Sequence, residues 1–174
     1  MRVVLVRREA AGDGPAIRAV TAAAFARPGE DVPAEAALVD CLRATPAWIP
    51  ELSLVAAGPD GAVIGHVVCT RGTVGRAPAL ALGPLSVRPD WQRRGVGKAL
   101  MHAVLGAADA LHEPLVALLG STEYYPRFGF GPASAYGITP GHPEWGEHFQ
   151  VRALSDYDPA VRGEFAYPEP FDRV

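Results

Sequence analysis

The sequence predicts an α/β fold in which one mixed β-sheet carries helices on both faces. Three observations support this fold class. Segments with strand and helix periodicity follow one another in the order β-α-α-β-β-β-α-β-α-β-β. A turn of the kind that joins antiparallel strands occupies residues 58–61, and a glycine–proline pair interrupts a later strand at 83–84. A mixed sheet covered on both sides accommodates this order.

The first half of the chain contains a strand, two helices and a hairpin. The β-branched run VVLVR at 3–7 predicts the strand. In DGPAIRAVTAAAF at 13–25, Asp13 is the expected cap and a proline follows in the first turn, so a helix begins there. The apolar spacing of AEAALVDCLRA at 34–44 predicts a second helix. Gly-Pro-Asp-Gly at 58–61 then joins two apolar runs as an antiparallel hairpin.

The next strand, PALALGPLSV at 78–87, contains an irregularity. Its apolar residues alternate up to Leu82, and the phase changes across Gly83 and Pro84 before alternation resumes at Leu85. Proline cannot donate a hydrogen bond to a sheet ladder. We therefore expect a bulge, or an edge position, in the middle of this strand.

A helix, a strand and a short helix are predicted after this strand. Apolar residues recur at three and four residues from 96 to 111, which predicts a helix ending near His112. PLVALLG at 114–120 is typical of a buried strand. STEYYPRF at 121–128 predicts a short helix with Ser121 or Thr122 as its cap. Two weaker strands complete the prediction, SAYGIT at 134–139 and HFQVRAL at 148–154.

Length and charge limit the classes of function. We expect one domain over residues 1–174. The net charge of -3 argues against general capture of nucleic acid, and no apolar run approaches the roughly 20 residues that span a bilayer. We therefore expect a cytoplasmic protein with neither nucleic-acid nor membrane partners. HPEWGEH at 142–148 lacks a metal-binding spacing, so no metal is predicted.

The segment QRRGVGK at 92–98 is the strongest functional signal. It stands where a helix follows the bulged strand, so unpaired backbone N–H groups and the positive end of the helix dipole would meet there. Arg93, Arg94 and Lys98, the last being the only lysine in the chain, all crowd this helix start. Cations at that end are unfavourable unless a polyanion is bound. A phosphate-containing ligand is therefore expected.

Three phosphate-binding patterns compete for these residues. The P-loop pattern fails because Gln92 stands where glycine is required and Ala99 where serine or threonine is required. The dinucleotide pattern fails at Leu100, where a small residue is required, and it needs a parallel strand arrangement that this chain lacks. The third pattern, Q/R-x-x-G-x-G/A, is met at every position.

This third pattern and its surroundings resemble the acetyl-coenzyme A signature of the GNAT superfamily of N-acetyltransferases. LSVRP at 85–89 precedes the motif, LVALLG at 115–120 follows the helix, and YPRFGF at 125–130 comes next, as in that family. The longer segment YYPRFGF resembles a subgroup of predicted acetyltransferases. The resemblance implies a mostly antiparallel sheet of six to seven strands with a bulged central strand. It covers a core at 1–154 and leaves 155–174, with its aromatic residues, as an extension that packs on the core.

The resemblance also assigns roles to residues. Tyr125 would be the general acid that protonates, or hydrogen-bonds to, the sulfur of coenzyme A, with Tyr124 as the alternative. Leu85 and Val87 would pair their backbone with the pantetheine arm. The residues expected to bind the pyrophosphate are Gln92, Arg93, Arg94, Gly95, Val96, Gly97 and Lys98.

The general base and the acceptor are not assigned by the resemblance. Many relatives carry a glutamate on the strand before the motif, whereas this strand has no carboxylate. His66 and Glu123 are the candidates, although a structural role suits each better. The loop at 26–34 and the segment at 131–148 are expected to shape the acceptor pocket.

The predicted function is transfer of an acetyl group from acetyl-CoA to a primary amine of a small molecule or a protein. The enzyme would act as a monomer or homodimer. The alternative is a non-catalytic module that binds CoA or acyl-CoA for regulation. The strand without a carboxylate motivates that alternative.

Overall fold

A computed structural model describes residues 3–174 of the chain. Within these residues, three α-helices and nine strands form the fold, and short 3₁₀ turns connect several of them. The helices are α1 (Gly14–Ala24), α2 (Ala34–Arg43) and α3 (Val96–Ala110). The strands are β1 (Leu5–Arg8), β2 (Trp48–Ala57), β3 (Val63–Val74), β4 (Ala77–Val87), β5 (Leu115–Leu119), β6 (Gly131–Pro132), β7 (Ile138–Thr139), β8 (Phe149–Ala153) and β9 (Gly163–Ala166).

The sheet is mixed and mostly antiparallel, as the sequence predicts. Its main path runs β1-β2-β3-β4-β5-β8-β6, and β4 with β5 is the parallel pair on that path. β9 pairs with the end of β3 and with β7. The strand count is nine rather than six or seven, because β6 and β7 have two residues each and β9 lies in the proline-rich tail. Two-residue strands are too short to show a period-2 pattern.

β4 and β5 separate part of the way along their length. Their pairing is confined to Leu80 with Val116 and Ala81 with Ala117. Beyond this point β4 bulges, because the β3 partners jump between Leu82 and Leu85 and leave residues 83–84 opposite a single residue. The bulge predicted from Pro84 is therefore confirmed. The edge of β4 from 82 to 87 has no strand pairing on its β5 side, which opens a gap in the sheet.

The two faces of the sheet carry different helices. α3 covers one face with a buried stripe that includes Leu100 and Val104, packed against Leu54 of β2. α1 and α2 cover the other face, where Ile17 and Val39 contact Val55. Helices on both faces were predicted from the sequence. The neighbouring residues Leu54 and Val55 point to opposite faces, as successive side chains of a strand do.

The C-terminal segment packs on the same face as α1 and α2. Phe165 of β9 is buried beside Phe149 of β8, and Tyr167 and Phe171 pack next to them. The aromatic residues of β9 and the segment after it thus belong to an apolar cluster with β8. Within residues 3–174, no helix is long and apolar enough to cross a bilayer.

Candidate functional site

The loop at 92–95 is held in a conformation that starts α3 abruptly. Gly95 adopts φ 85° and Arg93 adopts φ 59°, so the chain passes through the left-handed region twice before the helix. The side-chain amide Nε2 of Gln92 donates a hydrogen bond to the backbone carbonyl of Val87 at 3.0 Å, which connects the loop to the end of β4. Glycine adopts such φ values without steric cost. Gly95, the first glycine of the motif, therefore serves the backbone turn.

The first turn of α3 presents unpaired backbone donors. The first bond of the helix runs from the N–H of Ala99 to the carbonyl of Gly95 at 3.0 Å. The N–H groups of Val96, Gly97 and Lys98 consequently have no partner inside the helix. Together with the positive end of the helix dipole they form a site that suits an anion.

A cavity of about 730 Å³, here called the loop cavity, opens beside these donors. Seven of the nine residues expected to bind the cofactor line it. Of the other two, Arg94 lies over the Trp91 ring at 5.6 Å from its centroid, and the Val96 side chain is buried in the core. The lining residues are Ala24, Phe25, Leu85, Val87, Gln92, Arg93, Gly95, Gly97, Lys98, Tyr124 and Arg127.

The loop cavity is electropositive. Arg88, at the end of β4, is neutralised by Asp90 at 2.6 Å. In the described part of the chain, Arg93 and Lys98 form no such ion pair and both line the cavity. Arg127 adds a third positive charge to the wall. A ligand with more than one negative charge would neutralise these groups.

Ser121 positions the two adjacent tyrosines. Its Oγ accepts hydrogen bonds from the backbone N–H groups of Glu123 and Tyr124, each at 3.1 Å. Of the two predicted caps, the structure therefore selects Ser121. A short 3₁₀ helix over Tyr125–Phe128 follows this turn, because Pro126 prevents an α-helix from continuing through it.

The tyrosines face different cavities. Tyr124 lines the loop cavity, where its hydroxyl oxygen stands 3.1 Å from the position that a Cβ on Gly97 would take. Tyr125 lines a second cavity and packs edge-on against Phe130. Its ring lies against Gly120, where a Cβ would approach Cε2 to 2.4 Å. The glycine at the end of β5 thus makes room for Tyr125.

Burial shifts the pKa of Tyr125 further above neutral pH. Loss of hydration, with a smaller contribution from Tyr124, raises the pKa of its hydroxyl to about 12. The phenol therefore stays protonated at neutral pH. It can act as a hydrogen-bond donor within the second cavity.

The second cavity, here called the splay cavity, occupies the gap between β4 and β5. Its volume is about 380 Å³, and it shares Phe25 and Leu85 with the loop cavity. Glu35 is the one carboxylate side chain on its wall. The lining residues are Phe25, Glu35, Leu38, Leu82, Gly83, Pro84, Leu85, Leu118, Leu119, Tyr125, Trp145, Tyr167, Phe171 and Val174.

Neither proposed base faces a cavity. His66 lies in the middle of β3, is 0% exposed, and contacts Ser53 through Nε2 at 2.9 Å. Burial lowers the pKa of His66 to about 3. Glu123 is exposed and lines neither the loop cavity nor the splay cavity. The expectation that His66 reaches the cleft is wrong, because its strand position directs the ring beneath α1.

Several residues of the splay cavity were not identified individually from the sequence. Phe25 and Glu35 flank the loop at 26–34, and Trp145 lies within 131–148, the two segments expected to shape an acceptor pocket. His142 stacks on the Trp145 ring with centroids 4.4 Å apart. Within residues 3–174, no group of three His, Cys, Asp or Glu side chains is arranged to hold a metal ion.

Comparison with known proteins gives consistent matches along the chain. A model of the acetyltransferase (GNAT) family matches residues 21–130. The uncharacterized N-acetyltransferase YjhQ of Escherichia coli (strain K12) is 34% identical over 144 residues, which cover 78% of this chain and 79% of YjhQ. The alignment thus covers more than three quarters of each of the two proteins.

Two solved structures superpose on nearly the whole chain. The GNAT family N-acetyltransferase YhbS from Escherichia coli, solved in complex with CoA, has a TM-score of 0.86 and 31% identity, covering 98% of this chain and 92% of YhbS. A GNAT family acetyltransferase from Brucella melitensis, in complex with acetyl-CoA, has a TM-score of 0.78 and 35% identity. That alignment covers 98% of this chain and 99% of the Brucella protein.

Proposed function

Because the chain belongs to the GNAT family of N-acetyltransferases, we propose that it transfers the acetyl group of acetyl-CoA directly to a primary amine. One observation carries the proposal. An electropositive cavity at the start of α3 adjoins a second cavity at the gap between β4 and β5, and Leu85 belongs to both walls. A single extended cosubstrate can therefore reach from an anion site to a protonated phenol.

The loop cavity suits the pyrophosphate of acetyl-CoA. The free N–H groups of Val96, Gly97 and Lys98 supply donors, while the side chains of Arg93 and Lys98 supply positive charge. Gly97 leaves space between the backbone and Tyr124 that a Cβ would occupy. Relatives of this chain that were solved with CoA and acetyl-CoA support the same cosubstrate.

The unpaired edge of β4 suits the pantetheine arm. Residues 85 and 87 keep their pairing with β3, at Val67 and Gly65, so the opposite edge of the strand stays free over this stretch. An extended chain with amide groups can pair with such an edge as another strand would. Leu85 and Val87 are the proposed partners, and the bulge at 83–84 leaves the gap in which the thioester would sit.

Tyr125 is the proposed acid of the reaction. Acetyl-CoA supplies the thioester: the amine nitrogen attacks its carbonyl carbon, the carbon–sulfur bond breaks, and the amine loses one proton while the sulfur gains one. The pKa of Tyr125, about 12, lies above that of an ordinary thiol, about 8.5. The phenol therefore stabilises the departing thiolate chiefly by donating a hydrogen bond.

The oligomeric state and domain organisation form part of the same proposal. We infer one domain over 1–174, with a core at 1–154 and an extension at 155–174 that packs on it. The pairing of β9 with Thr73 and Val74 of β3 supports that packing. Activity as a monomer or homodimer is proposed because both cavities are built from one chain.

The experiment that tests the proposal uses the full chain, acetyl-CoA and a panel of primary amines. Free thiol should appear at the rate at which N-acetylated amine forms. Tight binding of acetyl-CoA with no thiol release for any amine would favour the regulatory alternative instead.

A further inference from the structure

The splay cavity has an apolar and largely aromatic wall. Leu38 and Leu118 contribute aliphatic surface, and Trp145, Tyr167 and Phe171 contribute rings. The Tyr167 ring contacts both others, with centroids 6.0 Å from Trp145 and 4.7 Å from Phe171. A ligand that fills this cavity must offer apolar surface, because unpaired polar groups there would lose hydration without replacement.

Glu35 places a carboxylate on this wall, where it is paired with Arg27. Its side chain is 13% exposed and lies in the first turn of α2. Arg27 holds it through two contacts, at 2.5 Å and 3.3 Å, while the guanidinium itself is 48% exposed. A carboxylate has about four acceptor positions, so a pair of N–H bonds leaves others available. The carboxylate is thus fixed in place and still able to accept from a ligand.

The size of the cavity suits a small molecule. Its volume of about 380 Å³ is near the lower end of the roughly 300–1,000 Å³ found for small-molecule sites. Tyr125 lines the same cavity, so an occupant would lie beside the proposed acid. A molecule bound in the part of the splay cavity that the thioester leaves free would lie beside the acetyl group and could receive it.

We propose that the acceptor is a small primary amine attached by a short alkyl chain to an aromatic or comparably apolar group, with Glu35 binding its ammonium. This inference rests on the proposed acetyl transfer. The apolar body would fill the aromatic wall, and the carboxylate would bind the ammonium, which releases one proton to solvent before the neutral amine attacks the thioester. A cation in an aromatic-lined cavity also interacts favourably with ring faces.

The same wall excludes other amines. The carboxylate of an amino acid would face Glu35 with like charge, and Arg27, the nearest cation, lies off the cavity wall and already pairs with Glu35. A polyamine would bury a second ammonium among apolar side chains, where its lost hydration is not replaced. Both classes should be poor acceptors even though each carries a primary amine.

The test compares acceptors of matched size with the full chain and a fixed concentration of acetyl-CoA. 2-Phenylethylamine should show a kcat/KM at least about tenfold above those of phenylalanine and spermidine, the discrimination expected from about 1.4 kcal/mol. Efficient acetylation of spermidine or phenylalanine in preference to 2-phenylethylamine would overturn the acceptor class and leave acetyl transfer intact. Absence of thiol release with every amine would overturn both proposals.

Substitution of Glu35 tests whether its carboxylate binds the amine or only pairs with Arg27. Glu35→Gln should raise the KM for 2-phenylethylamine about tenfold and leave the KM for acetyl-CoA unchanged. Glu30→Gln is the matched control, since Glu30 contacts the same Arg27 at 3.2 Å but lies outside the cavity wall. Equal effects of the two substitutions would contradict a role for Glu35 in binding the amine.

A second variant tests the aromatic wall without altering α2. Trp145→Leu should raise the KM for 2-phenylethylamine more than the KM for butylamine, because only the former loses a ring contact. Faster thiol release from octanoyl-CoA than from acetyl-CoA would show that the cavity holds an acyl chain, and would overturn the proposal.

Discussion

The hydroxyl oxygen of Tyr124 lies 3.1 Å from the point that a Cβ on Gly97 would occupy. The second glycine of the motif therefore does more than permit a turn, because its φ is negative and its role is to keep space open. Val87 is the next neighbour of that point, at 3.7 Å. The end of β4, the start of α3 and the tyrosine segment converge on this one residue.

Gly97→Leu should weaken binding of acetyl-CoA at least about tenfold, since the added side chain fills the space beside the free N–H groups. Isothermal titration with acetyl-CoA measures the change. Gly106→Leu is the matched control in the same helix, because a Cβ at Gly106 meets nothing within 4 Å. Unchanged affinity in the Gly97 variant would contradict the location of the pyrophosphate site.

Tyr125→Phe should lower kcat by about 10²-fold, the lower end of the range for general acid catalysis, while the KM for acetyl-CoA changes little. Steady-state kinetics of thiol release give both constants. Tyr124→Phe tests the alternative acid, and a larger loss of kcat there than in Tyr125→Phe would reverse the assignment of the two tyrosines.

Gly120→Ala should reproduce part of the Tyr125→Phe defect without removing a polar atom. The new Cβ would approach Tyr125 Cε2 to 2.4 Å, so the ring must move away from β5. We expect a lower kcat with the fold retained, the latter checked by circular dichroism. Wild-type kcat in this variant would show that the ring position is unimportant for the reaction.

Arg93→Ala should raise the KM for acetyl-CoA several-fold, and more at low salt than at high salt, because an exposed charge is screened by ions. Arg88→Ala is the control, since Arg88 already pairs with Asp90. The KM measured at two ionic strengths distinguishes the variants. Identical responses would indicate that the loop cavity does not bind the phosphates through Arg93.

The buried His66 should make stability depend on pH. Ser53 donates its hydroxyl proton to Glu9, so Nε2–H of His66 donates to Ser53 and Nδ1 is left without a partner among the described residues. Burial lowers the pKa of His66 to about 3, with a smaller effect of Arg43. Protonation would place a charge in the interior and leave the new Nδ1–H without an acceptor, and Glu9 Oε2, 3.9 Å from Nε2, offsets only part of this cost.

Because the pKa of His66 in the folded chain lies below its unfolded value of about 6.5, the unfolded state binds more protons between these values. The free energy of unfolding should therefore fall as pH decreases from about 6.5, by at most about 1.4 kcal/mol per pH unit. Urea unfolding between pH 7 and 5 measures it. His66→Asn should reduce the slope, whereas the exposed His102→Gln should not.

Local signals in the sequence account for much of the fold and for the anion site. The phase change at Pro84 predicts the bulge, and the glycines at 95 and 97 predict the start of α3, since each depends on a few adjacent residues. Leu111 was expected on the buried face of α3 but is 42% exposed, because the helix ends at Ala110. Helix ends depend on contacts that periodicity does not report.

The splay cavity could not be predicted residue by residue. Its wall combines Glu35, Tyr125 and Trp145, which are far apart in the sequence and meet only through the sheet. No spacing rule connects such residues. The sequence could indicate the segments at 26–34 and 131–148. Only the folded chain shows that residues in or beside these segments line the same cavity.

The most direct measurement of acetyl transfer follows both products in one reaction of the full chain with acetyl-CoA and 2-phenylethylamine. Free thiol is measured by a colorimetric reagent and N-acetylated amine by mass spectrometry. We expect equal amounts of the two products and a loss of both rates in Tyr125→Phe. Thiol release without acetylated amine, or no release with any amine in the panel, would contradict it.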